Sequence, residues 1–288
     1  MFTDGPVTPI HLETLIDLLR DAGARKLDAQ TVALLLQPEG LPKLNPDRGQ
    51  TKQALAAAED LGLAKRQEGF LALTIERKDK RSTREIVLEA LDARVLASRE
   101  AEPYFALYYS YLLGLGKKAG DPKKTREHWV SEFNTQVFGS RKQPDQFNET
   151  KLTGLHRWFR YAGLGWYDPA DVFQCNPYER LRRALPKIFD GKRKLQGGAF
   201  MEGLARACAE LDGGAIFRQA VPTYNDADRV CSLGLSHALV DLHLDAQIIL
   251  HCSQDSGGWS MQEADPLPLD NQTFRSARID FVELPKAR

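Results

Sequence analysis

The chain has 288 residues, enough for two or three modules with hydrophobic cores of their own. With 42% hydrophobic and 27% charged residues it has the composition of a soluble globular protein, and no apolar run reaches the roughly 18–20 residues that a membrane helix needs. A formal net charge of zero argues against a protein that merely coats nucleic acid.

Ile10 to Ala22 repeats apolar residues at helical spacing and ends at Gly23. Asp28 is placed to cap a second helix, Ala29 to Gln37, with Val32, Leu35 and Leu36 inward, before Pro38-Glu39-Gly40 and Pro42 break it. Pro46-Asp47-Arg48-Gly49 opens an Ala-rich third helix, Gln50 to Leu61, that buries Leu55, Ala58 and Leu61. Arg48, Thr51, Lys52 and Gln53 are left at its exposed N-terminal end, where a recognition helix meets a groove or phosphates. Gly62-Leu63 stops the helix. Two short strands follow, Ala64-Lys65-Arg66 and Phe70 to Leu73, with Gln67-Glu68-Gly69 turning between them. Two helices, a third helix with a glycine stop and a two-stranded ribbon form the layout of a winged helix-turn-helix.

Ser82-Thr83-Arg84-Glu85 is a capping box that starts a helix with Ile86, Leu88, Leu91, Val95 and Leu96 inward. Pro103 suits the first turn of an aromatic helix carrying Tyr104, Phe105, Tyr108, Tyr109 and Tyr111. So apolar a helix predicts core, not a base-stacking platform. Gly114 to Lys124 is a basic, glycine-containing break, and Thr125 to Phe138 is amphipathic with Trp129, Phe133 and Val137 inward. A second helix-plus-ribbon then appears. Its helix, Lys151 to Ala162, turns Leu152, Leu155, Phe159 and Ala162 inward and Lys151, Thr153, Arg157 and Arg160 outward. Gly163-Leu164-Gly165 stops it, and extended Trp166-Tyr167 and Val172-Phe173 flank the Asp168-Pro169 turn.

Asn176-Pro177 caps a helix bearing Arg180, Arg182 and Arg183, and Lys192-Arg193-Lys194 follows; such a run reads equally as a solvated face or a phosphate-binding patch. Ala199 to Leu211 turns Phe200, Leu204 and Cys208 inward, and Asp226-Ala227-Asp228 starts a shorter helical stretch. The third helix-plus-ribbon is Ser232 to Leu242 with Ser236, His237 and Asp241 outward, strand Gln247 to Cys252, turn Ser253 to Gly258, and strand Trp259 to Met261. The alternating Ala277, Ile279 and Phe281 read as one more strand.

The predicted fold is therefore mainly α with small β-wings (α+β): tandem winged helix-turn-helix modules joined by helices. The expected boundaries are 1–80 for the N-terminal winged helix, 81–124 for connecting helices, 125–195 for a basic middle module and 196–288 for an acidic C-terminal module. Residues 121–197 carry 15 Lys and Arg against 9 Asp and Glu, whereas 198–288 carry 7 against 13. DNA is thus expected at the middle and protein at the acidic end. The N-terminus lacks a basic region followed by an apolar core, and Cys175, Cys208, Cys231 and Cys252 lack a pairing or CxxC spacing, which predicts reduced thiols in a cytoplasmic protein.

Signatures of catalysis are sparse. There is no Gly-x4-Gly-Lys-Ser/Thr, Gly-x-Gly-x-x-Gly after a strand, or Gly-x-Ser-x-Gly. His237, His243, Asp245, His251 and Cys252 lack the short paired spacings of a zinc site. Asp226/Asp228 and Glu263/Asp265 lack the strand-borne partner a nuclease needs. The sequence assigns no catalytic, cofactor-binding or metal-binding residue, and the expectation is a non-enzymatic protein. The expected DNA contacts are Lys52, Lys65, Arg66, Lys151, Arg157, Arg160, Arg180, Arg182 and Arg183.

The helix-helix-wing layout of Leu12 to Leu73 resembles the DpdG-type proteins. So do Leu235-Ser236-His237-Ala238-Leu239, the following Ile248-Ile249-Leu250 and the Gln254-Asp255-Ser256-Gly257 turn. Those proteins accompany bacterial systems that insert 7-deazapurines into DNA and restrict unmodified DNA. The resemblance implies a winged-helix helper in a restriction or antiviral defence complex and transfers no active-site residues. Three functions follow as expectations. One is a DNA-engaging accessory subunit of a defence or DNA-processing complex. The second is a tandem winged-helix scaffold for an ATPase, helicase or nuclease partner without DNA contact, and the third is a transcription regulator, disfavoured by the lack of a dimerisation coiled coil.

Overall fold

The computed structural model describes residues 7–23, 27–37, 49–76, 79–98, 102–121, 123–139, 146–170, 172–253, 257–262, 268–269, 272–273 and 278–286. The expected cap at Pro46 to Arg48, the break at 38–42, the Gln254 to Ser256 turn, the Glu263/Asp265 pair and Ala277 lie outside the described residues. The architecture is mainly helical with small antiparallel sheets, and contacts divide the chain into two units, 1–103 with 147–161, and 104–146 with 162–288. The segment 125–195, expected as one module, contributes to both.

The first unit opens with α1 (Pro9–Ala22), β1 (Leu27–Asp28), α2 (Ala29–Leu36), α3 (Gly49–Asp60), β2 (Ala64–Gln67) and β3 (Phe70–Leu73). Asp28 caps α2 by accepting from the Thr31 amide at 2.7 Å, which holds its carboxyl below the usual range. Leu12, Leu15 and Ile16 of α1 are buried with Val32, Leu55, Ala58 and Leu61. Leu35 is 52% exposed and Leu36 only half-buried, contrary to expectation; Val32 is the residue of α2 that is buried. The hairpin turns on two residues, Glu68 (φ 52°) and Gly69 (φ 84°), while Gln67 joins the strand. Positive φ at both positions is the geometry whose twist matches the flanking strands. Sheet order is β1-β3-β2, all antiparallel, so β2 is an edge strand.

The Ser82–Glu85 capping box forms as predicted at the start of α4 (Thr83–Leu91), and both the hydroxyl and amide of Ser82 hold the Glu85 carboxyl below its usual range. Two helices that belong to the other unit come next, α5 (Pro103–Leu115) and α6 (Arg126–Phe138), followed by α7 (Glu149–Ala162). The turns of α7 up to Tyr161 close the first unit. The Trp158 indole donates to the Val7 carbonyl at 3.0 Å, and the Tyr161 hydroxyl donates to Glu13 at 2.6 Å with the Arg84 guanidinium 5.2 Å above its ring.

The second unit is built on the aromatic face of α5. Tyr104, Phe105, Tyr108, Tyr109 and Tyr111 are all buried, as their density in one helix predicts. Phe133 of α6 meets Tyr108 and Tyr111 edge-on at 5.0 and 5.3 Å. The basic break after α5 is a 3-10 turn over Gly116–Gly120. Gly163, at φ +68°, ends α7, and a Cβ there would lie 2.6 Å from Glu179 Cβ. Then come β4 (Gly165–Tyr167) paired with β5 (Phe173–Cys175), α8 (Tyr178–Phe189), β6 (Lys194–Gln196), α9 (Gly197–Ala207), α10 (Ala215–Ala220) and α11 (Leu233–Leu244). The strands β7 (Ile249–Ser253), β8 (Trp259–Ser260), β9 (Pro268–Leu269), β10 (Gln272–Thr273) and β11 (Arg278–Glu283) complete the chain.

β7 and β8 do not form the expected hairpin. β11 runs between them, paired with β7 along one side and with β8 and β6 along the other, which satisfies both of its edges. A bulge between Ile279 and Phe281 shifts the register, so Val282 joins Ile279 in the core. Phe281, expected inward, is 36% exposed beneath the Lys194 ammonium at 4.6 Å. On α11, Ser236, expected outward, is fully buried: its hydroxyl donates to the Ser232 carbonyl at 2.8 Å and accepts from the Gln262 amide at 3.0 Å.

One short segment ties this unit together. Arg180 Nε donates to Glu210 Oε1 at 2.8 Å and its guanidinium also reaches the Ala207 carbonyl at 3.0 Å. The Ser110 hydroxyl of α5 donates to the Glu210 carbonyl at 2.7 Å. Two residues on, the Asp212 carboxylate accepts from both the amide and the hydroxyl of Ser232, the N-cap of α11. Burial pushes the Asp212 carboxyl up to about 6, against the hydrogen bonds from Ser232 that lower it.

Glu210→Ala is expected to destabilise the protein by about 3–5 kcal/mol in urea unfolding, because it strands a guanidinium that is 4% exposed; Arg180→Met with Glu210→Leu should recover most of that loss. A second expectation concerns pH. Asp212 binds its proton more tightly folded than unfolded, so its contribution is fully present below the unfolded value of 3.8 and is lost as pH rises through about 6. Relative to Asp212→Asn, the native chain should lose about 3 kcal/mol of unfolding free energy between those limits, read from urea titrations across that range.

Candidate nucleic-acid interface

The residues expected to meet DNA divide by burial. In α3, Lys52 is exposed, but Thr51 is 3% exposed and donates its hydroxyl to Gln37 Oε1 at 3.0 Å, so the N-terminal end of the helix is less open than its polar sequence suggests. Arg48 lies outside the described residues. On the edge strand β2, Lys65, Arg66 and Gln67 are all exposed. Arg66 Nε donates to Glu59 Oε1 at 2.8 Å, a surface pair with the arginine 60% exposed, worth at most about 1 kcal/mol.

On α7, Arg157 and Arg160 are exposed, as is Thr153, whereas Lys151 is 1% exposed. The outward placement expected for Lys151 is therefore corrected, and the reason is its spacing. Lys151 lies four residues before Leu155, and Leu155, Trp158 and Ala162 continue that stripe into the core.

Arg180 repeats the case on α8. It stands four residues before buried Ala184 and beside Leu181, and it spends its charge on Glu210, which is fully buried. It is not a surface cation. Arg182 is exposed and paired with Glu179 at 2.9 Å, and Arg183 is half-buried with its guanidinium on the Ala162 carbonyl at 3.3 Å. Lys192, Arg193 and Lys194 are exposed; Arg193 donates to the Leu284 carbonyl at 3.3 Å. The exposed cations of the predicted set are thus Lys52, Lys65, Arg66, Arg157 and Arg160 in the first unit and Arg182 in the second.

The groups that resembled a metal set are used locally. His243 Nδ1 accepts from the Leu250 amide at 3.3 Å, His251 lies 3.1 Å from Glu283, Asp245 accepts from the Tyr178 hydroxyl at 2.7 Å, and His237 is exposed. Among the described residues no three such side chains converge. The four cysteines form no disulfide with one another, and burial pushes the thiols of Cys175 and Cys231 upward and that of Cys252 up to about 12.

Sequence reasoning missed a cleft of about 580 Å³ in the second unit, bordered by the start of α9, by α10, and by β8 and β11. Arg218 paired with Asp226, Arg229 reaching the Gly257 carbonyl, and the buried Asp212 border it. The available signal was Glu210 and Asp212, two acids at the end of the amphipathic run 199–211, both of which are buried. Among the described residues, no helix is long and apolar enough to cross a membrane.

Comparison with known proteins adds one finding. No curated protein and no solved structure matches the chain. A family model described as DpdG-like matches residues 3–256, most of its length. The chain belongs to the DpdG-like family.

Proposed function

We propose that this protein is a non-enzymatic, DNA-engaging accessory subunit of a bacterial defence or DNA-processing assembly, in the 7-deazapurine DNA-modification setting that its DpdG-like family suggests. The observation that carries the reading is the basic edge strand β2. Lys65 and Arg66 stand exposed on it, in the same unit as Lys52 of α3 and Arg157 and Arg160 of α7. The order α1-β1-α2-α3-β2-β3 with sheet order β1-β3-β2 supports a winged helix, in which α3 is the recognition helix and the β2–β3 hairpin the wing. The helix, glycine stop and ribbon of α7 with β4 and β5 repeat that order in reduced form. Such a surface positions a protein on phosphates and carries little sequence readout by itself.

A second reading, a scaffold that docks an ATPase, helicase or nuclease partner, is favoured by different observations. The α8 arginines are engaged within the protein, and Ile10 at 67% and Leu35 at 52% stand open to solvent.

Fluorescence anisotropy with a short labelled duplex tests the first reading. Affinity should fall with salt by about 0.9 log units per log unit of salt for each phosphate neutralised, and Lys65→Glu with Arg66→Glu should reduce that slope by about two contacts. Arg157→Glu with Arg160→Glu should weaken binding similarly. Salt-independent binding, or indifference to both charge reversals, selects the scaffold; co-purification of a partner free of nucleic acid then supports it.

A further inference from the structure

Between α11 and the β4–β5 hairpin of the second unit lies a groove of about 370 Å³. Two large apolar side chains stand open in it, Trp166 at 51% exposure and Leu244 at 61%. Exposed apolar groups of that size sharing one hollow mark an unpartnered surface. The rest of the groove is acidic. Asp241 and Asp245 lie four residues apart at the C-terminal end of α11. Like charges at that spacing repel, and the free carbonyls of a helix C-terminus already disfavour negative charge.

The two carboxylates are nevertheless held in place. Asn176 Nδ2 donates to Asp241 Oδ2 at 2.7 Å, the Tyr178 hydroxyl donates to Asp245 Oδ2 at 2.7 Å, and the Tyr178 amide fixes Asn176 Oδ1 at 2.9 Å. Both donors are neutral, so they orient the charge without cancelling it. Burial and the Asp245 carboxylate push the Tyr178 hydroxyl up to about 12, and it remains a donor at neutral pH. Glu179 also lines the groove, paired at the surface with Arg182. The C-terminal segment 198–288, which supplies α11, carries 7 basic against 13 acidic residues, while α8, which supplies Tyr178 and Glu179, carries the exposed Arg182.

We propose that this groove docks a segment of a partner protein in which a Leu, Met or aromatic side chain sits beside a Lys or Arg. The apolar group fills the hollow between Trp166 and Leu244, and the cation meets Asp241 and Asp245. Burying two half-exposed apolar side chains supplies non-specific attraction, and the oriented carboxylates select for a basic neighbour. This deepens the scaffold reading and is independent of any DNA contact.

A random peptide library displayed on phage and panned on the intact protein tests it. Enriched peptides should carry Lys or Arg next to a large apolar residue, and synthetic copies should lose at least about tenfold in affinity, roughly one hydrogen-bonded charge contact, on Asp241→Asn with Asp245→Asn. Leu244→Ser, at a position too exposed to matter to the core, should weaken them likewise, while Arg157→Glu should leave them unchanged. Absence of enrichment, enrichment of acidic or wholly apolar peptides, or binding indifferent to these substitutions overturns the proposal. Self-association of the protein abolished by Leu244→Ser would overturn it in favour of a contact between copies. A co-purifying partner retained by the Asp241→Asn, Asp245→Asn variant would sink the groove and leave the scaffold reading standing.

Discussion

The second unit depends on what happens to a few polar groups between Ala207 and Asp212. Glu210 and Asp212 are buried, and polar groups of this stretch reach three helices: the Ala207 carbonyl and Glu210 carboxylate bond Arg180 of α8, the Glu210 carbonyl bonds Ser110 of α5, and the Asp212 carboxylate bonds the N-cap of α11. Hydrophobic packing is tolerant of small rotations, whereas a buried charge pair is not, because a misplaced guanidinium keeps its desolvation cost and loses its partner. The tie therefore fixes the mutual placement of three helices that aromatic packing alone would only bring together. It also gives Asp212 its raised affinity for a proton, since the same burial that makes the tie specific penalises its charged form.

Charge is distributed between structure and surface by the same logic. Arg180 and Lys151 sit on the inward stripes of their helices, and Arg180 is satisfied inside. Lys65, Arg66, Arg157 and Arg160 sit exposed on the β2 edge and the outer face of α7. The zero net charge is consistent with a modest, localised electrostatic surface in place of a uniform coat. Negative charge is likewise concentrated, and at the end of α11 it is held by neutral donors beside open apolar side chains.

Much of the architecture was legible in the sequence because it is set locally. Glycine stops at Gly23, Gly62 and Gly163, the Asp28 cap, the Ser82–Glu85 box and the aromatic density of α5 each act within a few residues, and each appears where the pattern put it. The spacing that buries Lys151 and Arg180 was also present, four residues ahead of Leu155 and Ala184. The outward assignment followed residue type over period, and period prevailed because the helix face is decided by the majority of its neighbours.

What the sequence by itself determined is most of the helices, the β2–β3 and β4–β5 ribbons and several helix ends, since dihedral preferences, caps and periodicity are properties of short segments; the short strands β1 and β6 and the helix α10 carry no such local signature. Only the tertiary structure decided that β11 separates β7 from β8, that a bulge brings Val282 inward in place of Phe281, that residues 125–195 contribute to two units, and that Arg180 answers Glu210 thirty positions away. These depend on pairings between distant segments, whose energy comes from desolvation and geometry that no local window contains.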